Sequence, residues 1–280
     1  MPEGHVIHRL AHELNESFRP EPLKISSPQG RFSTEAAIVD DSRIEHAEAF
    51  GKHLFIHFDA GDPRHIIYIH LGLIGKLSFE PLDDQWGQMR LRIESDTQAA
   101  NLRGPQWCKL ITEEEYDAAL AKVGQDPLRD DADPDQLWQK VHRSRRQIGS
   151  LMMDQHLYAG VGNIYRAETL FRLGISPFLP GKQLQRTEFD SIWADLVDLM
   201  ATASNTAAST PSARSTLPKP WAATPAKTTT AARSTSTGVP VSPAISAAIP
   251  SPKKSWKDAT CSGVRPAKRT KSYLRLAEGP

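Results

Sequence analysis

Cysteine is scarce in this sequence: 280 residues contain only Cys108 and Cys261. Two distant thiols are typical of a reducing compartment and are too few for a four-cysteine zinc site, so we expect no metal site. Long apolar runs are missing too. No stretch of 18 apolar residues occurs, and no basic segment followed by an apolar core opens the chain. We therefore expect no membrane span, no secretory signal and a cytoplasmic location.

Net charge is also small, at +1 for the whole chain, but it is unevenly distributed. Residues 201–280 hold 12 of the 34 basic residues and 2 of the 33 acidic ones, a net of +10. Residues 1–200 therefore carry a net of −9. Such asymmetry is typical of a basic arm that binds nucleic acid.

The last 80 residues differ in composition as well as charge. Alanine, serine, threonine and proline make up 50 of them, and no apolar periodicity is present. This composition predicts that residues 201–280 form a disordered basic tail.

Residues 1–200 have the apolar patterning of a folded α+β protein. A helix is predicted over 4–17, and alternating apolar residues predict strands at 54–58, 67–71 and 89–93. Residues 1–118 are therefore expected to form a β-sandwich or flattened barrel behind an N-terminal helix. Residues 119–200 are expected to form a helical domain, with helices at 138–141, 148–157, 164–173 and 189–200.

The chain opens with the candidate motif Met1-Pro2-Glu3-Gly4-His5. Removal of Met1 would expose the secondary amine of Pro2, which can attack a sugar C1′ and form an iminium. The positive end of the following helix disfavours the protonated amine. Glu3 is placed to protonate the ribose ring oxygen. The alternative is a chance Met-Pro start, which many chains share.

Two further motifs border the predicted strands. Gly51-Lys52 opens one of them, and Lys52 is either a solvated edge residue or a cation aimed at the departing base or a phosphate. His70-Leu71-Gly72-Leu73-Ile74-Gly75 ends another. Its glycines can expose Leu73 and Ile74 to wedge into a base stack, although this motif by itself favours an ordinary β-turn with buried leucines.

The segment 154–166 is the strongest internal motif. Gly160 and Gly162 lie between two predicted helices and allow close approach of the backbone to a phosphate. Asn163 is expected to cap the second helix. A plain helix–turn–helix hairpin is the alternative, but Arg143, Arg145 and Arg146 just upstream favour a phosphate partner.

These motifs occur together in the order seen in one family. The matching stretches are Pro2-Glu3-Gly4-His5, Gly51-Lys52, His70-Leu71-Gly72, Gly124-Gln125-Asp126-Pro127-Leu128 and residues 151–177. Over residues 1–200 the sequence resembles the formamidopyrimidine-DNA glycosylase / endonuclease VIII family, and is most similar to its bacterial endonuclease VIII-like branch.

The resemblance implies a bifunctional DNA glycosylase and abasic-site lyase of base excision repair. It implies an N-terminal β-sandwich followed by a helix–two-turns–helix domain. Double-stranded DNA containing an oxidised base, with pyrimidines favoured, or an abasic site would be the partner of a monomer that is nucleoid-associated while acting. The implied catalytic residues are Pro2 as Schiff-base nucleophile, Glu3 as acid/base and Lys52 as second cation. The implied DNA-binding residues are His70, Leu73, which fills the gap left by the flipped base, Arg145, Arg146 and Asn163.

The sequence departs from this family at its C-terminal end. Members of the branch end in a C-x₂-C-x₁₆-C-x₂-C zinc finger, which this chain lacks, so no cofactor is expected in the chain as written. If one nucleotide is missing just after the Met200 codon, the frame can be restored. The residues that can then become cysteine, at the family's spacing, are Ala244, Ala247, Val264 and Ala267.

The same restoration converts residues 259–263 into Arg-Asn-Leu-Phe-Trp, which matches the arginine-bearing hairpin of the family's finger. We therefore hypothesise that residues 201–280 are a frameshifted zinc-finger region. A genuine basic tail that grips DNA without sequence preference is the alternative. Loss of the finger also leaves open an inactive or non-enzymatic DNA-binding relative, although a binder has no need of Pro2, Glu3 and Lys52 together.

Overall fold

The computed structural model describes residues 2–208 except Pro20 and Asp84, with side chains up to residue 205. These residues all belong to one compact unit. Residues 209–280 lie outside the described residues, and with them the positions at which the frame test restores cysteine. Within the described part, no helix is long and apolar enough to cross a membrane.

The chain begins with helix α1, Gly4–Ser17, as predicted. Its buried face carries Ile7, Leu10, Ala11 and Leu14, which recur at helical spacing. This face belongs to the core of a β-sandwich, and the helix also contacts the last helix among the described residues. Because α1 touches both halves of the protein, its first residues lie between them.

Two four-stranded antiparallel sheets form the sandwich. One has the order β1-β6-β7-β5, and the other the order β2-β3-β4-β8. The strands are β1 Lys24–Ser26, β2 Ile44–Phe50, β3 His53–Phe58, β4 Ile66–His70, β5 Lys76–Pro81, β6 Met89–Glu94, β7 Gln98–Arg103 and β8 Trp107–Ile111, with α2 Ser33–Val39 between β1 and β2. The predicted strands correspond to β3, β4 and β6, and the predicted α+β sandwich is confirmed.

Strand β3 is buried on both faces, since helix α3, Glu113–Leu120, covers its outer side. Phe55, Ile66 and Ile111 form a small second core there with Tyr116 and Leu120 packed against them. The capping box of Thr112 and Glu115 begins α3. The outer face of this sheet is therefore enclosed where α3 lies on it.

Residues 134–208 form the helical half around a separate core that includes Leu151, Tyr158 and Phe189. Its helices are α4 Pro134–His142, α5 Ile148–Leu151, α6 Asn163–Arg172 and α7 Arg186–Ala208, with a 3₁₀ turn at Gly181–Gln183. The predicted helix over 148–157 is wrong beyond Leu151. Asp154 accepts backbone N–H groups of residues 156, 157 and 158, and this turn replaces the helical hydrogen bonds.

The last helix continues past the boundary that the sequence placed at Met200. Helix α7 extends to Ala208, so the prediction of disorder is wrong for residues 201–208. This extension contains four alanines, the residue with the highest helix propensity. Composition indicated disorder here because it averages these residues with the serine- and proline-rich segment that follows.

Candidate active site

Three of the candidate motifs meet at one place. The N–H of Gly4 donates to the carbonyl of Gly160 at 2.9 Å, which joins the start of α1 to the loop before α6. A Cβ on Gly51 would lie 2.6 Å from the backbone nitrogen of Gly160. A Cβ on Gly4 would lie 2.8 Å from the Cα of Gly160. Backbone contacts this close require glycine. The structure therefore brings the Pro2-Glu3 and Gly51-Lys52 motifs and the 160–163 loop together.

Glu3 is the N-cap of α1 and is only 2% exposed. Its Oε1 accepts the backbone N–H of Ile164 at 3.1 Å, whereas Oε2 is buried without a hydrogen-bond partner among the described residues. A Cβ on Gly162 would lie 2.3 Å from the Glu3 carboxyl carbon, so only glycine leaves room for the carboxylate. Glu3 is thus fixed through one oxygen, and the other oxygen has no hydrogen-bond partner among the described residues. The residue before Glu3 in the chain, Pro2, is half-buried.

Lys52 lies in the tight turn between β2 and β3, one residue earlier than the strand in which the sequence placed it. Its Nζ donates to the carbonyl of Val161 at 3.2 Å. Burial lowers the pKa of Lys52 below its usual value, and the nearby Glu3 carboxylate opposes part of that shift. A solvated edge lysine would not be held in this way, so the interpretation of Lys52 as a solvated edge residue is wrong.

Asp126 fixes this turn from the helical side and was not assigned a role from the sequence. Its Oδ2 accepts the N–H of Gly51 and contacts Nε2 of His8, each at 2.7 Å, and its Oδ1 accepts the N–H of Leu128 at 2.9 Å. The residue is 3% exposed. The surrounding sequence is polar and charged, so nothing in it indicated that Asp126 is buried and needs several donors.

Gln155 holds the 160–162 loop and was likewise missed. Its Oε1 accepts the N–H of Gly160 at 3.1 Å, and its Nε2 donates to the carbonyl of Val161 at 2.8 Å. That carbonyl also accepts from Lys52. One glutamine therefore sets the loop geometry that Lys52 and Glu3 share.

Asn163 does not cap helix α6, contrary to the sequence-based expectation. Gly162 is the N-cap, Asn163 is the first helical residue, and the carboxylate of Glu3 makes the capping bond to Ile164. A carboxylate suits this position because it meets the positive end of the helix. Asn163 is exposed, and its side-chain oxygen accepts from the Arg166 guanidinium.

Aromatic side chains surround the histidines at the sheet end near Lys52. His70 stacks on Trp107 at 4.5 Å between centroids, and its Nδ1 accepts the N–H of Gly72. Burial and then the charge of Lys52 lower the pKa of His70. Burial also lowers the pKa of His53, across the sheet from it, to about 4. These imidazoles are therefore neutral near pH 7.

The loop Leu71–Gly75 presents two apolar side chains to solvent. Leu73 is 73% exposed and Ile74 is 86% exposed, whereas Leu71 is buried. The N–H of Gly75 bonds back to the carbonyl of Leu71 at 3.0 Å, and Gly72 has φ +68°. The predicted exposure of Leu73 and Ile74 is confirmed, and the turn with buried leucines is excluded.

The predicted arginines lie on the loop between α4 and α5. Arg143 and Arg145 are exposed there. Arg146 is exposed as well but pairs with Asp154 at 2.7 Å, and this hydrogen bond lowers the pKa of the carboxyl group. The described hydrogen bonds of its guanidinium are with Asp154 and Ser150, not with the residues around Glu3.

A four-cysteine zinc site does not fit this chain. The sequence has two cysteines, and Cys108, on β8, is buried in the sandwich core. Burial raises the pKa of its thiol, which disfavours the thiolate that binds metal.

Comparisons with known proteins agree with this architecture. Residues 1–105 match the family model described as formamidopyrimidine-DNA glycosylase N-terminal domain. Residues 123–215 match the family model described as formamidopyrimidine-DNA glycosylase H2TH domain.

Similar curated proteins come from two branches. Endonuclease 8 1 of Mycobacterium tuberculosis (strain ATCC 25618 / H37Rv) is 43% identical over 206 residues, which cover 71% of this chain and 76% of that protein. Formamidopyrimidine-DNA glycosylase of Neisseria meningitidis serogroup A is 34% identical over 149 residues, or 49% of this chain and 52% of that protein.

Solved structures share the fold. Lactococcus lactis Fpg (MutM) bound to DNA containing N7-benzyl-Fapy-dG has a TM-score of 0.64 at 21% identity, and covers 73% of this chain and 79% of its own. The same protein bound to DNA with an oxidised pyrimidine gives 0.64 at 21% identity, with 73% and 80% covered.

Proposed function

Since the chain belongs to the formamidopyrimidine-DNA glycosylase family and is a DNA glycosylase of base excision repair, we propose that it removes an oxidised base through a Schiff base on Pro2. The observation that carries this proposal is the geometry of Glu3. Its buried carboxylate is fixed by Ile164 through one oxygen, while the other has no hydrogen-bond partner among the described residues, and Pro2 immediately precedes Glu3 in the chain.

The reaction begins when loss of Met1 frees the amine of Pro2. The nitrogen attacks C1′ of the damaged nucleotide, Glu3 protonates the ring oxygen, and the glycosidic bond breaks as the base departs with its electron pair and takes up a proton. Loss of the ring oxygen from C1′ leaves an iminium. Abstraction of a C2′ proton then expels the 3′-phosphate by β-elimination, and a second elimination expels the 5′-phosphate. The enzyme therefore acts as an abasic-site lyase as well.

Lys52 supports this step as a cation held close to Glu3. Its partial burial and its bond to Val161 fix the ammonium group in a desolvated place, where a charge acts more strongly on a reacting group than it does in water. It can stabilise the departing base or a neighbouring phosphate.

Access to C1′ requires that the damaged nucleotide leave the duplex. We assign Leu73 to the gap left in the base stack, because an exposed apolar side chain on a tight loop is suited to wedging between bases. His70, Arg145, Arg146 and Asn163 would contact the DNA backbone. Arg146 must share its guanidinium with Asp154 to do so.

Oxidised pyrimidines such as thymine glycol and 5-hydroxyuracil are the favoured substrates in this proposal, since the 43% identical relatives are named Endonuclease 8 1. Formamidopyrimidines and abasic sites are the other candidates. A monomer in the cytoplasm, associated with the nucleoid while acting, suffices because one active site faces one DNA duplex.

Borohydride trapping tests the mechanism directly. The 280-residue protein is incubated with a duplex containing thymine glycol, and sodium borohydride reduces any iminium to a covalent protein–DNA product. We expect a product that is absent with Pro2→Gly. A product of equal yield in Pro2→Gly would overturn the proline mechanism.

The missing finger favours one alternative, an inactive relative that binds damaged DNA without cutting it. We retain the frameshift hypothesis for residues 201–280, and sequencing the gene across codons 198–204 tests it. If the reading frame is homologous across these codons and no finger resumes in a shifted frame, a genuine basic tail takes its place. Failure of trapping in this chain together with trapping after frame restoration would assign the defect to the finger.

A further inference from the structure

A second polar cluster lies at the other end of strand β3. Its members are His46 and Glu48 on β2, His57 on β3, His65 just before β4 and Glu113 at the start of α3. Lys52 lies just before the start of β3 and is five residues from His57. Five residues of extended chain span roughly 16 Å. The cluster is therefore distinct from the site around Glu3.

The two histidine rings and one carboxylate converge on a single place. Nε2 of His57 lies 3.4 Å from Oε1 of Glu48, and Nε2 of His46 lies 3.7 Å from the same oxygen. The two rings stack at 4.0 Å between centroids with 14° between their planes. All three ligand atoms lie within 4.8 Å of one another.

Among these residues, His57 has a buried ring nitrogen without a hydrogen-bond partner, which an ordinary cluster of ion pairs does not explain. The residue is 4% exposed, and its Nε2 has no hydrogen-bond partner in the described part of the chain. Burying such a group without a partner is unfavourable. The 3.4 Å separation from Glu48 exceeds the usual range for an N–H···O hydrogen bond, so the carboxylate meets this nitrogen as an ion-pair contact and not as a well-formed hydrogen bond.

We propose that His46, Glu48 and His57 bind one divalent transition-metal ion of the zinc class. Ligands in a tetrahedral site with bonds of about 2.0–2.1 Å lie roughly 3.3–3.4 Å apart. The separations of 3.4 Å and 3.7 Å are close to that spacing. The half-exposed His46 ring must turn out of its stack on His57 to direct its nitrogen at the ion, because imidazole binds a metal in the plane of the ring. Two imidazoles and a carboxylate suit zinc, with a fourth position open to solvent.

Residues behind the three proposed ligands contact them and fix their orientation, as is usual around a bound metal ion. Nδ1 of His57 faces the carboxylate of Glu113 at 4.0 Å, and His65 contacts the same oxygen at 3.1 Å. The Tyr116 hydroxyl donates to Glu48. A carboxylate behind a ligating histidine fixes its orientation and raises its basicity.

The remaining oxygen of Glu48 is held from the helical side. Arg129 donates to it at 3.3 Å while lying over the ring of Phe50. The bound ion would join β2 to β3 and, through Glu113, to α3. The ion would lie on the outer face of the sheet with one coordination position open to solvent.

Calorimetric titration of zinc into metal-free full-length protein tests the proposal. A Cys261→Ser background removes the thiol that lies outside the described residues. We expect one ion per chain, with affinity lowered at least tenfold by His46→Ala and by Glu48→Gln. His12→Ala is the matched control, since His12 is an exposed histidine on α1, and it should leave the affinity unchanged.

Circular dichroism of each metal-free variant separates lost binding from lost folding. His46 is exposed, so its replacement should not unfold the protein. Absence of zinc binding in the parent, or equal affinity in His46→Ala and the parent, overturns the proposal. Loss of binding in His65→Ala with retention in His46→Ala overturns it too, because the ion would then lie on the other side of His57, between His65 and Glu113.

Discussion

One carboxylate, that of Glu3, serves two elements. It precedes α1 in the chain, yet its hydrogen bond caps α6, whose first turn has no capping side chain of its own. The carboxylate therefore sits at the positive end of a second helix, where a negative charge is stabilised. The position of this carboxylate explains why residue 162 is a glycine and why Asn163 does not cap α6.

Replacing Glu3 with glutamine separates its two tasks. The amide oxygen of Glu3→Gln can still accept from Ile164, so the fold is retained, but the acid is lost. We expect single-turnover base excision to slow by about 10²–10⁴-fold. Borohydride trapping on a preformed abasic site should be much less affected, because the abasic sugar opens to its aldehyde without the enzyme and needs no acid on the ring oxygen. Equal losses in both assays would contradict the assignment of Glu3 as the acid.

The buried histidines predict a stability that depends on pH. Folding lowers the pKa of His53 from its ordinary value of 6.5 to about 4. Between pH 4 and pH 6.5 the unfolded chain therefore binds more protons than the folded protein does. The free energy of unfolding should therefore decrease as the pH falls from 6.5 to about 4, by at most about 3 kcal/mol from this residue.

Urea unfolding of His53→Gln across that pH range measures the effect. The decrease should become shallower without disappearing, because His5 also has a pKa of about 4. The exposed His12→Gln is the control and should follow the parent. A pH dependence unchanged in His53→Gln would show that burial of His53 does not perturb its titration.

Some residues of the site could be predicted from sequence and others could not. Pro2, Glu3 and Lys52 were proposed because each belongs to a short local motif. Asp126 and Gln155 act through backbone groups of distant loops, which no local pattern reveals. His46, His57 and Glu113 come together only through strand register and the packing of α3, so the sequence-based expectation of no metal site could not have considered them.

Among elements, the contact between the β2–β3 turn and the loop before α6 determines the geometry of the site. It is made by backbone against backbone, so side chains cannot adjust to relieve a clash. The predicted strands and the helices α1 and α6 were found because their apolar periodicity is strong. Helix α5 was overestimated because periodicity does not detect the turn that Asp154 forms.

Alanine substitution tests this contact with a matched control. Gly51 and Gly174 both have positive φ, +59° and +64°, but only at Gly51 would an added Cβ meet other atoms within 4 Å. Both variants incur backbone strain. Gly51→Ala should lose about 1–3 kcal/mol more in free energy of unfolding than Gly174→Ala, and should also reduce trapping because Lys52 moves. Equal destabilisation would show that the contact is loose.

For the whole molecule, charge is the outstanding property. Residues 1–200 carry a net charge of −9, so attraction to DNA cannot come from the net charge of this part. It must come from local groups such as Lys52 and Arg145. Whether residues 201–280 belong to the DNA-binding surface depends on the origin of their sequence.

Restoring the reading frame after codon 200 tests whether residues 201–280 are a frameshifted zinc finger. The frameshift hypothesis predicts that the restored protein binds one zinc ion more than the 280-residue chain and binds lesion DNA more tightly. Metal analysis and fluorescence anisotropy measure the two effects. The control is the restored protein with its third restored cysteine changed to serine. If restoration adds no zinc, the finger was not encoded there.

The capping of α6 by Glu3 also has a consequence for the order of synthesis. Glu3 leaves the ribosome among the first residues, whereas Ile164 is added 161 residues later. On the proposed mechanism, a chain that stops before the helical half has the nucleophilic amine without a positioned acid. Products of premature termination would therefore carry little risk of cutting undamaged DNA, and the ability to excise a base would arise only when the protein is nearly complete.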